Sequence, residues 1–102
     1  MLGAVQRIEG YVAGATFDQL ATDSRTLAAI NYELLVLGEA ASRIPDEFAS
    51  AHPELPWREL RGMRNVLVHG YFQISPPIVW DTVQRDLPAL RPLLERLLGT
   101  LP

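Results

Sequence analysis

The sequence predicts an all-α fold: a compact up-and-down helical bundle of four main helices, the last of them bent at prolines, in one domain covering residues 1–102. Three observations predict it. Apolar residues recur in steps of three and four, the spacing that gathers them on one face of a helix. Capping and breaking residues fall between those stretches. The chain has 102 residues, 48% of them apolar, enough for one small domain with a modest core.

Residues 2–13 read as a first helix with Val5, Ile8 and Val12 on one face, weakened by Gly3, Gly10 and Gly14. Residues 15–23 connect it to the next, with a turn around Phe17 to Leu20. Asp23 or Ser24 is a good N-cap for a second helix over about Arg25 to Arg43. There Leu27, Ile30, Leu34, Leu37, Ala41 and Ile44 form a stripe. A second row follows Ala28, Tyr32, Leu35, Glu39 and Ser42, so this helix is covered on more than one side. Glu39 interrupts that row. It reads either as a surface glutamate at the row's edge, which periodicity alone favours, or as a partner for an arginine.

Residues 44–56 form a connection punctuated by three prolines, with a helical turn at Asp46 to Ser50 and Phe48 pinning it to the core. Pro56 suits the first turn of a third helix that runs to about His69. After Gly70 comes a short link, Tyr71 to Ile74. Ser75 caps and Pro76 opens the last helix, whose stripe is Val83, Leu87, Leu90, Leu94, Leu97 and Leu101. Pro88 and Pro92 each remove a backbone hydrogen bond, so this helix bends there or splits in two near Asp86.

The third helix ends in Arg64-Asn65-Val66-Leu67-Val68-His69-Gly70-Tyr71, which gathers an arginine, a histidine and a tyrosine. On a helical wheel Leu60, Met63 and Leu67 make the core side, and Arg58, Arg61, Asn65 and His69 share a polar arc. Arg64 lies at the border, about 140° from His69. A single ideal helix therefore does not bring the two head groups together. Gly70 suits the left-handed position that closes a helix, which leaves His69 in the last turn. The dipole there favours its protonated form and the arginines oppose it. Histidine titrates near neutral pH and can pass a proton, while the planar fork of an arginine holds a phosphate. Read by themselves, the same residues also fit a structural ion pair at Arg64, a helix cap at His69 and a packed ring at Tyr71.

The net charge is −3, which argues against broad nucleic-acid binding and leaves room for a small local site. All nine basic residues are arginine, and Arg58, Arg61 and Arg64 lie in one short segment. Cysteine is absent, and His52 and His69 are the two histidines, so no metal site and no cofactor are expected. With neither a signal peptide pattern nor a membrane-spanning run, a soluble, cytoplasmic protein is the expectation.

The spacing of Arg64, His69 and Tyr71 resembles the R-x4-6-H-x-Y signature of HEPN ribonucleases, in particular the HepT toxin (DUF86) family. Three further segments carry the resemblance in the same order. Leu37-Gly38-Glu39-Ala40-Ala41 resembles "IGEA", His52-Pro53-Glu54-Leu55-Pro56-Trp57 resembles "HPEIPW", and Gly62-Met63-Arg64-Asn65 is the family's "GMRN". Trp80 and Asp86-Leu87-Pro88 match its terminal helix. The departure is at the front, where family members carry several more residues.

The resemblance implies a homodimer with a composite site between two signature helices. Arg64 and His69 would be catalytic, the first on the scissile phosphate and the second in proton transfer as the 2′-hydroxyl attacks, with no metal. Asn65, Arg61 and Glu39 would position the RNA, a tRNA or mRNA, with Glu39 orienting Arg64. A minimal nucleotidyltransferase antitoxin of the MntA-like type would neutralise the toxin by transferring AMP to Tyr71. The alternative is a non-catalytic helical dimer that binds a nucleotidyltransferase or a nucleotide.

Overall fold

A computed structural model describes residues 1–69 and 76–100, with Val66, Val68 and His69 described by their backbone alone. Helix α3, Ser24–Ser42, is the axis of the bundle. Asp23 starts it: one carboxylate oxygen accepts from the Thr26 amide at 3.1 Å and the other from the Thr26 hydroxyl at 2.5 Å. The Thr26 hydroxyl first, and then its amide, hold the Asp23 carboxyl below its ordinary range. The stripe behaves as its spacing predicts, with Ile30, Leu34, Leu37 and Ala41 buried.

Helix α1, Leu2–Val12, lays Ala4, Val5 and Ile8 against α3. Gly14 then turns the chain with φ +74°, a conformation open to glycine. Short helix α2, Phe17–Ala21, begins with a capping box in which Thr16 and Gln19 bond each other's backbone. The expected turn at residues 46–50 is helix α4, Asp46–Ala51. Beyond it the Trp57 indole donates to the His52 carbonyl at 2.8 Å, which fixes the proline-rich connection against the start of α5, Trp57–His69.

Helix α5 packs closely on α3, and Gly38 is the reason. A Cβ built there would lie 2.9 Å from the Arg64 amide nitrogen and 3.1 Å from the Leu60 carbonyl oxygen. Both are backbone atoms, so only glycine permits this approach.

The last stretch neither breaks near Asp86 nor runs on as a regular helix. Helix α6, Pro76–Asp81, passes into one π-helical turn, Thr82–Asp86, and then into α7, Leu87–Gly99. The Leu87 amide donates five residues back, to the Thr82 carbonyl. The widened turn ends just before Pro88, so the missing N–H of that proline falls where the π-helical turn passes into α7. Val83, Leu87, Leu90, Leu94 and Leu97 are buried, as the stripe predicts. Arg91 joins α7 to α1 by donating to Glu9 at 2.8 Å; its bonds to Glu95 and Glu9 raise its pKa above the ordinary value. Phe17 of α2 meets Trp80 of α6 edge-on, with ring centroids 5.9 Å apart.

The described residues are thus all-α, with four long helical stretches and two short helices between them. Among them no helix is long and apolar enough to cross a membrane. The expected cap at Ser75, the link at residues 71–74 and Leu101 lie outside the described residues.

Candidate functional site

The close crossing at Gly38 sets Arg64 of α5 beside Glu39 of α3. The Arg64 Nε donates to a Glu39 carboxylate oxygen within the same chain. Their side chains are 45% and 37% exposed. An ion pair so open to water contributes roughly 0–1 kcal/mol to stability, so the fold has little need of it. The terminal nitrogens of Arg64 make no hydrogen bond among the described residues. Along α5 the core side of the wheel is met, with Leu60 and Leu67 buried and Met63 half-buried; Arg58 and Asn65 of the polar arc are exposed and Arg61 is half-buried, while Arg64, at the border, is exposed.

Arg61 is one turn away and differently placed. Its Nε donates to the Ala41 carbonyl at 3.1 Å, one terminal nitrogen to the Ile44 carbonyl at 2.8 Å and the other to Asp46 at 3.2 Å. Ala41 is in the last turn of α3 and Ile44 lies just past its end, and the Ala41 carbonyl also accepts from the Ile44 amide at 3.3 Å. The sequence reading gave Arg61 to RNA; the structure finds all three of its nitrogens occupied in tying α5 to the end of α3 and the start of α4.

Arg58, Arg61, Arg64 and Asn65 line one groove of about 1120 Å³, walled by the end of α3, by α4 and by the proline-rich loop. His69 ends α5, and its side chain, like Gly70 and Tyr71, lies outside what is described. Among the described residues no cluster of three or more His, Asp and Glu side chains is arranged to hold a metal ion.

Two polar residues of α3 escaped the sequence reading. Glu33 is 3% exposed and accepts from Arg7 of α1 at 2.5 Å, with the Tyr11 hydroxyl at 3.4 Å. The bond to Glu33 raises the pKa of Arg7. The available signal was its position, three residues after Ile30 and four before Leu37, which sets a carboxylate beside the core stripe. Asn31 has a buried, unpaired side-chain oxygen among the described residues, in a cavity of about 240 Å³ with Tyr32, Leu35 and Leu67. No periodicity announces it.

Comparison with known proteins shows the family. The family model described as ribonuclease HepT-like matches residues 1–97. A protein of Thermococcus cleftensis named "Probable ribonuclease HepT" is 37% identical over 94 residues, 92% of this chain and 86% of that one. A provisionally named RNase of Caldanaerobacter subterraneus subsp. tengcongensis is 33% identical over 87 residues, 85% of this chain and 78% of its own length. In Methanocaldococcus jannaschii, a protein whose name joins gamma-glutamylcyclotransferase to a provisional RNase is 28% identical over 101 residues, 99% of this chain and 46% of that one. No solved structure matches.

Proposed function

The chain belongs to the HepT-like ribonuclease family, and from that premise we propose that it is the ribonuclease toxin of a toxin–antitoxin pair, cutting RNA without a metal at a site shared by two copies. The observation that carries this reading is Arg64: held through its Nε by Glu39, half-exposed, and one of the residues that line the groove. Its terminal nitrogens are two parallel donors for the scissile phosphate. The His69 imidazole takes the proton of the 2′-hydroxyl as that oxygen attacks phosphorus. The bond from phosphorus to the 5′-oxygen breaks, and the leaving oxygen receives a proton. The products are a 2′,3′-cyclic phosphate and a 5′-hydroxyl. Proton transfer and charge stabilisation are both supplied by side chains.

The wheel separation of Arg64 and His69 supports a second copy, which brings its own signature helix to the cleft. Asn65 reaches RNA beside Arg64, while Arg61 keeps the wall of the groove in place. Control falls to a minimal nucleotidyltransferase. The Tyr71 phenol attacks the α-phosphorus of ATP, pyrophosphate leaves, and the bound AMP sets an anion beside Arg64 that repels RNA.

The test is cleavage of tRNA and mRNA by the purified protein in EDTA. Arg64→Ala and His69→Ala should each lower the rate by a factor of about 100 or more, with the helical signal retained. Cleavage that stops in EDTA and returns with Mg²⁺, or variants that cut as wild type does, would overturn the assignment.

A further inference from the structure

The groove extends well past Arg64, and two features of its α5 wall have no role in the chemistry above. The first is Arg58. Three arginines line the groove, Arg58, Arg61 and Arg64, with two carboxylates, Asp46 and Glu59. Arg61 is bound to Asp46, and Arg64 to Glu39. Arg58 is exposed and pairs with no carboxylate among the described residues. It stands six residues before Arg64, roughly 9 Å along the helix axis and about 120° around it.

The second feature is Gly62. It sits inside α5, where glycine weakens a helix. Gly38 earns its place by packing; Gly62 does not. A Cβ at Gly62 would meet nothing within 4 Å among the described residues. Arg58, Gly62 and Asn65 are spaced i, i+4, i+7, one row along the groove. A glycine in the middle of such a row leaves helix backbone bare, where a ligand's own backbone can approach closely.

We propose that the row Arg58–Gly62–Asn65 is the track for the RNA strand next to the cut, with Arg58 binding the phosphate of a flanking nucleotide and Gly62 letting the sugar–phosphate chain lie against α5. This rests on the ribonuclease reading and deepens it: the substrate is a single strand longer than the scissile dinucleotide, held by its backbone rather than by base edges.

The experiment compares cleavage of an RNA octamer and a dinucleotide by the full chain, and binding of a 2′-O-methyl octamer that cannot be cut. In wild type the octamer is the better substrate. Arg58→Ala should shrink that advantage about tenfold and make the salt dependence of octamer binding shallower by roughly 0.7 in log–log slope, the value for one phosphate contact on a single strand. Gly62→Ala should raise the melting temperature and still shrink the advantage, a combination that a purely structural glycine does not give. If wild type cuts RNA and Arg58→Ala keeps both the advantage and the slope, the track is wrong and the ribonuclease reading stands. A Gly62→Ala variant that keeps the advantage removes the glycine from the track. Should wild type cut nothing, the ribonuclease reading falls, and the uncuttable octamer decides alone: weaker binding by Arg58→Ala retains the row as an RNA surface, whereas equal binding, or none, overturns it.

Discussion

Arg61 and Arg64 are one turn apart and do opposite work. Arg61 spends three nitrogens on the end of α3 and on Asp46, whereas Arg64 gives its Nε to Glu39 and makes no other side-chain hydrogen bond among the described residues. Spacing sets Arg64 apart as the start of the signature, but the partners of Arg61 come from the fold, where the end of α3 brings the Ala41 and Ile44 carbonyls within its reach. Glu39 was legible only in part: it interrupts an apolar row, which raised an arginine partner as one reading, while periodicity alone favoured a surface glutamate. Glu33 was not legible, because its neighbour Leu34 continues the same stripe and hides it. The Glu39 pair makes a definite prediction. Glu39→Gln removes the charge that orients Arg64 and competes with phosphate for it. RNA affinity should hold or rise, while single-turnover cleavage falls by up to about 100-fold, the cost of a misplaced catalytic group. Equal loss of affinity and rate would mean that Glu39 does not act through orientation. Tyr71 carries the second prediction at this scale. Tyr11 and Tyr32 are 42% and 65% exposed, so exposure by itself does not select an acceptor. With a cognate nucleotidyltransferase, ATP and Mg²⁺, AMP should appear on Tyr71 and on neither of the other two, and cleavage should stop. Tyr71→Phe should stay toxic and resist that neutralisation. Mass spectra without an adduct, together with stoichiometric inhibition that Tyr71→Phe leaves intact, would assign control to steric blockage instead.

Among the elements, the helices were readable and their contacts were not. The second and third predicted helices agree with α3 and α5 to within a residue or so at each described end, because apolar periodicity and caps are local signals. The π-helical turn was not foreseen: two prolines announce trouble for a helix, but whether it is met by a kink, a break or a widened turn depends on what the flanking stretches pack against. The closeness of α3 and α5 was equally hidden, since a glycine inside a helix reads as a weakness until the facing backbone is known. Gly38→Ala tests that contact. Its Cβ must displace the Arg64 amide and the Leu60 carbonyl, and neither is the end of a flexible side chain. Overpacking of this kind costs about 1–3 kcal/mol, read as a shift in a chemical denaturation midpoint. Cleavage should fall as well, since the same displacement moves Arg64 away from its place beside Glu39. A variant as stable and as active as wild type would show that the two helices can part without consequence.

At the scale of the molecule, the face of α3 beside the site is unusually apolar for a surface. Tyr32 is exposed, and Leu35, Val36 and Ala40 are half-buried along the same side as Glu39. The sequence hinted at this by giving the helix two apolar rows, more than a small bundle can bury alone. A second copy seated there, under the proposed assembly, would cover the face and bring another Arg64 and His69 to one cleft. Symmetry then sets a test that does not depend on how tight the dimer is. If each site draws Arg64 from one chain and His69 from the other, a heterodimer of Arg64→Ala with His69→Ala holds one site that lacks both groups and one that lacks neither. Mixing the two inactive variants after gentle unfolding and refolding should therefore restore about a quarter of wild-type cleavage: half of the randomly paired dimers are mixed, and each mixed dimer has one intact site of two. The recovered activity should titrate with the mixing ratio and be greatest at equal amounts. Light scattering on wild type should give twice the mass of the chain at micromolar concentration. A dimer whose mixed variants stay inactive would mean that each site takes both groups from one chain, and a monomer that cleaves RNA would remove the second copy from the mechanism altogether.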